Sequence, residues 1–258
     1  MELLITIIIM TLIESSHQQT NYCDSSLCRA GTTHIACNSS RTLSTTCGVE
    51  ATEIVLDSTL QALILGLHNG FRSTVATGNQ SITSNTFYPQ AKRMATVVWS
   101  TELADIAGAN TRRCIYGNDQ CRNTATFTAA GQNIAIMSYF GRTISTVALI
   151  KKIINKWYEE YAYANPTIIA SFPSAHQGHS IGHFTQIVGD RVTHLGCSLV
   201  VYYNSPWTRQ YFVCDYSLTN IIGQPVYKSG DYCSECTTGC STEYPGLCTE
   251  KEIINSNP

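Results

Sequence analysis

The sequence predicts an α+β domain in which helices cover an antiparallel sheet. Three observations carry this. Between residues 50 and about 222, helical apolar spacing comes first and strand-like runs follow. Hydrophobic residues make up 43% of the 258-residue chain and charged residues only 13%, a balance that can build a core and does not describe a disordered chain. Twelve cysteines, an even number gathered mostly at the two ends, suit a secreted, disulfide-bonded protein better than a cytosolic enzyme. A net charge of −2 without a basic stripe argues against nucleic acid as a partner, since a phosphate-backbone binder clusters Lys and Arg.

Taken in chain order, Leu3 to Ile13 is apolar except for Thr6 and Thr11. That run is too short to span a bilayer and has the length of a signal-peptide h-region, although Glu2 stands where a basic residue is usual. Residues 1–20 are therefore expected to be a leader, cleaved between Glu14 and Thr20. No later run is long enough for a membrane span. Residues 21–57 form a loop-rich segment with Cys23, Cys28, Cys37 and Cys47 among Ser, Thr and Gly. Asn38 and Asn79 head N-glycosylation sequons.

Residues 58–222 read as the globular domain. Ser58 is placed to cap a helix with Leu60, Leu63, Ile64, Leu67 and Phe71 on its apolar face. Ser100 is placed to cap a second, with Leu103, Ile106 and Ala107 inward. A short strand follows Gly131-Gln132. A third helix runs from Thr143 to Tyr161, carrying Val147, Ile150, Ile154, Trp157 and Tyr161. Strands are then expected at Phe184 to Val188, Gly196 to Tyr203 and Arg209 to Tyr216, with a hairpin loop at Asn204-Ser205-Pro206. Residues 223–258 form a tail with Cys233, Cys236, Cys240 and Cys248. The pair Cys233-x-x-Cys236 has zinc-ligand spacing, but in a secreted chain disulfides are the more frequent use.

Four motifs stand in order: His68-Asn69-Gly70-Phe71-Arg72, Gly131-Gln132-Asn133, Gly182-His183-Phe184-Thr185-Gln186 with Gly196-Cys197 after it, and Tyr211-Phe212-Val213-Cys214-Asp215-Tyr216. Together they resemble the CAP superfamily of cysteine-rich secretory, antigen 5 and pathogenesis-related proteins. Asn21-Tyr22-Cys23, followed by Cys28, Cys37 and Cys47, and the tail from Cys233 to Cys248, with Tyr244-Pro245-Gly246-Leu247-Cys248, resemble the insect antigen 5-related (venom allergen 5-like) branch, and the resemblance covers nearly everything after residue 20. It implies an α-β-α sandwich, the CAP domain, over residues 58–222. It also implies the disulfides Cys23–Cys37, Cys28–Cys121, Cys47–Cys114 and Cys197–Cys214, with the tail cysteines pairing among themselves in an unassigned order. Each of the two long-range bridges is worth about 4 to 5 kcal/mol in the chain-entropy model.

The resemblance further implies a cleft of two histidines and two acidic residues. His183 and Glu160 match that tetrad. Asn118 stands where the family has histidine in a C-x-x-x-H-D context, and Gln132 where G-E-N has its acid, a substitution that the resembling antigen 5 branch also shows. An amide is a poor transition-metal ligand beside imidazole, and it cannot act as a general base near neutral pH. No serine or cysteine nucleophile with a base is apparent. Neither a catalytic residue, a metal site nor a cofactor is therefore expected. His176, His179 and His183 have metal-like spacing but lie in a Gly- and Ser-rich stretch, where exposed loop histidines are the plainer reading. His68 and Arg72 read as structural packing, and Trp157, Tyr158, Tyr161 and Tyr163 as core and rim rather than a lipid groove. Gly189, Leu218 and Asn220 also depart from the family pattern, which has Trp, Pro and Gly there.

The expected function is that of a secreted, extracellular, non-enzymatic antigen 5-like protein of saliva, venom or reproductive fluid that binds a protein or small-lipid partner. A small-lipid carrier is the alternative, and a metal-dependent hydrolase a weaker one that the tetrad losses oppose. The chain contains no Arg-Gly-Asp.

Overall fold

The computed structural model describes residues 20–258, so the expected leader lies, apart from Thr20, outside the described residues. The elements in order are β1 (Thr52–Ile54), α1 (Ser58–Ala76), β2 (Ser81–Thr83), β3 (Thr86–Phe87), β4 (Val98–Trp99), α2 (Thr101–Thr111), β5 (Gly131–Tyr139), α3 (Thr146–Tyr158), α4 (Pro166–Ala170), α5 (Gly182–Val188), β6 (His194–Asn204) and β7 (Trp207–Tyr216). The main sheet runs β1-β6-β7-β5, all antiparallel, and β4 pairs with β6 in parallel.

Both faces of this sheet are covered, which makes it an α-β-α sandwich. Leu195, Cys197, Leu199, Phe212, Cys214 and Tyr216 alternate onto the face packed against α1, α3 and α5. Val200, Tyr202, Tyr211, Val213 and Ile134 occupy the other face, under α2. Double burial explains why β6 and β7 read as nearly continuous apolar runs. At Gly196 a Cβ would collide with the backbone of Ser100 and Ala104, so glycine lets α2 lie directly on β6.

Four sequence expectations need correction. Phe184–Val188 is not a strand: it belongs to helix α5. A short run rich in β-branched residues cannot be told from a buried helix by period alone, and here Thr185 and Gln186 are buried along with Phe184, Ile187 and Val188, leaving no exposed face to betray the period. Helical spacing shows instead in Thr185, whose Oγ1 donates to the Ile181 carbonyl one turn back at 2.9 Å. Asp57, not Ser58, caps α1, accepting from the Leu60 amide. The third helix spans Thr146–Tyr158, capped by Ser145, and tightens into a 3-10 turn over Glu159–Tyr163, so Tyr161 lies beyond it. Its buried stripe is Leu149, Ile150, Ile153, Ile154 and Trp157, which turns Val147 outward. The strand after Gly131 is nine residues long and pairs with β7 along its whole length.

Helix α1 buries polar residues on its innermost stripe. Asn69 makes two hydrogen bonds to the backbone of Val97. Arg72 is fully buried, and its five N–H groups meet the carbonyls of Ala95 (twice), Ile187, Gly189 and Val192 at 2.7–3.2 Å. Burial pulls its guanidinium down to about 9, which leaves it protonated at neutral pH. One side chain thereby fastens α1 to the end of α5 and to the segment before β4.

Six disulfides close the molecule: Cys23–Cys37, Cys28–Cys121, Cys47–Cys114, Cys197–Cys214, Cys233–Cys240 and Cys236–Cys248. Cys233 and Cys236 go to different partners, so the zinc-like spacing is spent on two bridges. The tail is also held by Glu252, whose buried carboxylate accepts from Arg93, Thr237 and Thr238.

Candidate functional site

The four positions of the expected tetrad fall into two separately bonded pairs. Glu160 lies in the 3-10 turn after α3, and His183 is the second residue of α5. The His183 Nδ1–H donates to Glu160 Oε1 at 2.7 Å. Glu160 Oε2 accepts the backbone amides of His183 and Phe184 at 2.8 and 3.2 Å. The carboxylate thus satisfies the free N–H groups at the start of α5, which lacks a cap of its own. Burial pushes the Glu160 carboxyl up, but hydrogen bonds from His183 and Phe184 and the His183 charge outweigh it, leaving it below its ordinary value. The His183 ring stacks on Trp157, which stacks in turn on Phe212.

The second pair is two amides. Asn118 Nδ2 donates to Gln132 Oε1 at 3.0 Å. Gln132 Nε2 donates to Asp119 Oδ2 at 2.6 Å and to Asp215 Oδ1 at 2.8 Å. Asp215 faces Gln132 directly in the β5–β7 register. Among the described residues one cation serves these two acids: Arg122 lies 2.8 Å from Asp119 and 3.9 Å from Asp215. Asp215 Oδ2 has no hydrogen-bond partner among the described residues. Complete burial, opposed in part by Arg122 and reinforced by Asp119, holds the Asp215 carboxyl well above its usual value. Asn110 of α2 fixes Asp119 Oδ2 at 3.0 Å and is itself held by the Tyr211 hydroxyl.

Asn133 links the two pairs, since it follows Gln132 and its Nδ2 donates to the His183 carbonyl at 3.2 Å. The same Nδ2 donates to the Tyr216 hydroxyl, which bonds His68 Nε2 at 2.9 Å, while His68 Nδ1 donates to the Ile64 carbonyl. Burial pulls His68 down to about 4, so the ring is neutral and accepts from Tyr216. Gly131 begins this strand because a Cβ there would strike the Gln186 side chain and the Leu218 carbonyl. Three of the four motifs therefore meet at the Tyr216 hydroxyl.

A model of the cysteine-rich secretory protein family, CAP, matches residues 65–216. The chain belongs to the CAP family. Venom allergen-1 of Aedes aegypti is 41% identical over 236 residues, covering 92% of this chain and 90% of that protein. Venom allergen 5 of Dolichovespula arenaria is 35% identical over 213 residues, covering 81% and 98%. These relatives place the chain in the antigen 5-related branch. Among solved structures, BmVAL-1 shares the fold with a TM-score of 0.63 at 23% identity, over 77% of this chain and 97% of that one.

Among the described residues, no group of three or more His, Cys, Asp or Glu lies together in a way that could hold a metal ion. The three closely spaced histidines diverge: His183 turns to Glu160 and Trp157, His179 stacks on Tyr163 at 4.0 Å, and His176 is exposed. Trp157 and Tyr158 are buried, with Tyr158 stacked on Phe71. The three departures from the family pattern serve the backbone. Gly189 accepts from Arg72, the Leu218 carbonyl accepts from Gln186, and Asn220 donates to the Gly182 carbonyl. Sequence reasoning missed Asp119, Arg122 and Asp215. Asp119 and Asp215 each sit inside or beside a quoted motif, but only the strand register shows that both acids converge on Gln132.

Proposed function

We propose that this protein is a secreted, non-catalytic, venom allergen-like CAP protein that acts by binding a partner. One observation carries the reading: where the family tetrad has an imidazole and a carboxylate, Asn118 and Gln132 hydrogen-bond to each other. The retained Glu160 is likewise occupied, by the His183 Nδ1–H and by the amides at the start of α5. Such a set leaves a single oriented imidazole with no second histidine beside it and, among the described residues, no convergent group of metal donors. Six disulfides suit an oxidising, extracellular setting. Asn38 and Asn79 are both exposed, as glycan acceptors must be.

Titration calorimetry with zinc and with copper tests the reading. The unmodified protein should bind weakly or not at all, and Asn118→His alone should gain binding. Tight binding by the unmodified protein that disappears in His183→Ala would refute it. Native mass spectrometry of the secreted protein then reports whether a small lipid travels with it.

A further inference from the structure

The far end of the main sheet presents an unusual surface. Phe140 follows the last residue of β5, and the β6–β7 hairpin closes at Trp207, which pairs with Asn204. Phe140 is 65% exposed, Tyr203 48% and Trp207 44%. The rings of Phe140 and Trp207 meet edge to face at 6.3 Å. One further step of the β5–β7 register sets Phe140 opposite Trp207, on the face under α2, while Tyr203 stands on the other face. The hairpin thus ends in an aromatic tip with rings on both sides. It lies about 25 Å along β5 from Gln132, at about 3.3 Å per residue, so it is separate from the tetrad positions.

The stretches that lead into this tip carry cations and no acid, and one acid stands near it from another strand: Glu50, two residues before Thr52, which pairs with Val201, two residues before Tyr203. No Asp or Glu occurs between Asp119 and Glu159, nor between Asp190 and Asp215. Within those stretches Arg142 lies two residues beyond Phe140, and Arg209 two residues beyond Trp207 on the same sheet face. Helix α3, which starts just after the tip, exposes Lys151, Lys152 and Lys156. None of these five cations makes an ion pair among the described residues. The chain as a whole is acidic, so this end is the exception.

We propose that the hairpin tip docks on an anionic lipid surface. Trp and Tyr suit the headgroup zone because each joins an apolar ring to a polar group, and Phe adds apolar area. Arg142 and the α3 lysines complement anionic headgroups, and their long aliphatic stems let them do so while the rings insert. Two weak signals together, apolar insertion and a basic surround, give reversible attachment without a membrane span. The excess of unpaired cations near the tip complements a headgroup layer that supplies anions.

Sedimentation of the full secreted chain with phosphatidylserine-rich vesicles, compared with pure phosphatidylcholine vesicles, tests this. The protein should bind the anionic vesicles, and raised salt should weaken the binding. Truncating both rings, Phe140→Ala with Trp207→Ala, should lower the partition coefficient at least about tenfold, since two half-exposed aromatic rings leave the apolar layer. Arg142→Glu with Lys152→Glu should remove the preference for anionic vesicles. Phe87→Ala, another exposed ring on the β2–β3 hairpin, should change nothing. Equal binding to both vesicle types, no loss in the double alanine variant, or no binding at all would overturn the proposal. So would light scattering that shows a dimer dissociated by the alanine variant in a protein indifferent to vesicles.

Discussion

Replacing Gln132 by Glu restores the family's acid and should cost this protein stability. The Gln132 amide nitrogen donates to Asp119 at 2.6 Å and to Asp215 at 2.8 Å. A carboxylate there would set a third acid against two that already share Arg122. Ionised, it would meet the Asp119 charge with about 6 kcal/mol of repulsion at an effective dielectric constant of about 20. Taking up a proton is cheaper: for an ordinary glutamate it costs about 3.7 kcal/mol at pH 7, at about 1.4 kcal/mol per pH unit. Protonation therefore wins, and the loss of stability should be about 3–4 kcal/mol at pH 7, falling to about 1 kcal/mol near pH 5. The sign follows from a raised folded pKa, which favours the folded state below the unfolded value and loses that advantage as pH rises. Denaturant unfolding with disulfides intact, on both proteins across this range, measures it. Asn118→His should recover part of the loss, because an imidazolium restores a positive neighbour, with a coupling of about 1–2 kcal/mol in a double-mutant cycle. A pH-independent loss, or one below about 1 kcal/mol at pH 7, would refute the reasoning.

Two further outcomes follow from buried charges elsewhere. Arg72→Ala should destabilise the fold by about 3–5 kcal/mol, because it strips the donors from four buried carbonyl groups, and Arg72→Lys should not restore it, since an ammonium cannot reach them in a planar fork; thermal unfolding checks both. The Glu252 carboxyl, which burial alone would raise, is pulled from 4.5 to about 2 by hydrogen bonds from Thr238, Thr237 and Arg93. Its contribution to docking the tail is therefore complete above about 4.5 and lost as pH falls towards about 2. Limited proteolysis with an acid-active protease should release tail fragments increasingly over that interval, and Glu252→Gln should flatten the response.

Much of the architecture was legible because period and burial agree. Ser100, Leu103 and Ile106 mark α2 from the sequence, and β6 and β7 announce themselves by their apolar runs. Legibility failed where burial is complete on a short element. Phe184–Val188 has no exposed face to reveal its helical period, so its β-branched content points to a strand. On α1 the apolar pattern finds the fully buried Ile64, and His68 and Arg72 read as structural packing, but Leu60, Leu63 and Leu67 are only half-buried, and the depth of the polar stripe of His68, Asn69 and Arg72 does not show in hydrophobicity. The tetrad positions could be named from motifs, but not their bonding. Gln132 and Asp215 are 83 residues apart, and their contact is a product of strand register. The tail order, Cys233 to Cys240 and Cys236 to Cys248, was equally closed to reading, since spacing permits other pairings.

The motifs that identify the family and the residues that would perform chemistry turn out to be largely different sets. His68 and Asn133 meet at the Tyr216 hydroxyl, Arg72 ties α1 to α5 and β4, and Gly131 and Gly196 admit close packing. Each of these is required by the sandwich whether or not anything is bound. A chain can therefore keep these motifs under selection for folding alone while the tetrad changes. Here the change occurs at two adjacent positions that bond to each other, and it leaves the structural acid Glu160 in place. Losing only the histidine would have left a third acid beside Asp119 and Asp215 with one arginine between them. Losing only the acid would have left the histidine without its carboxylate. The paired amides avoid both, because Asn118 and Gln132 satisfy each other at 3.0 Å without adding a charge.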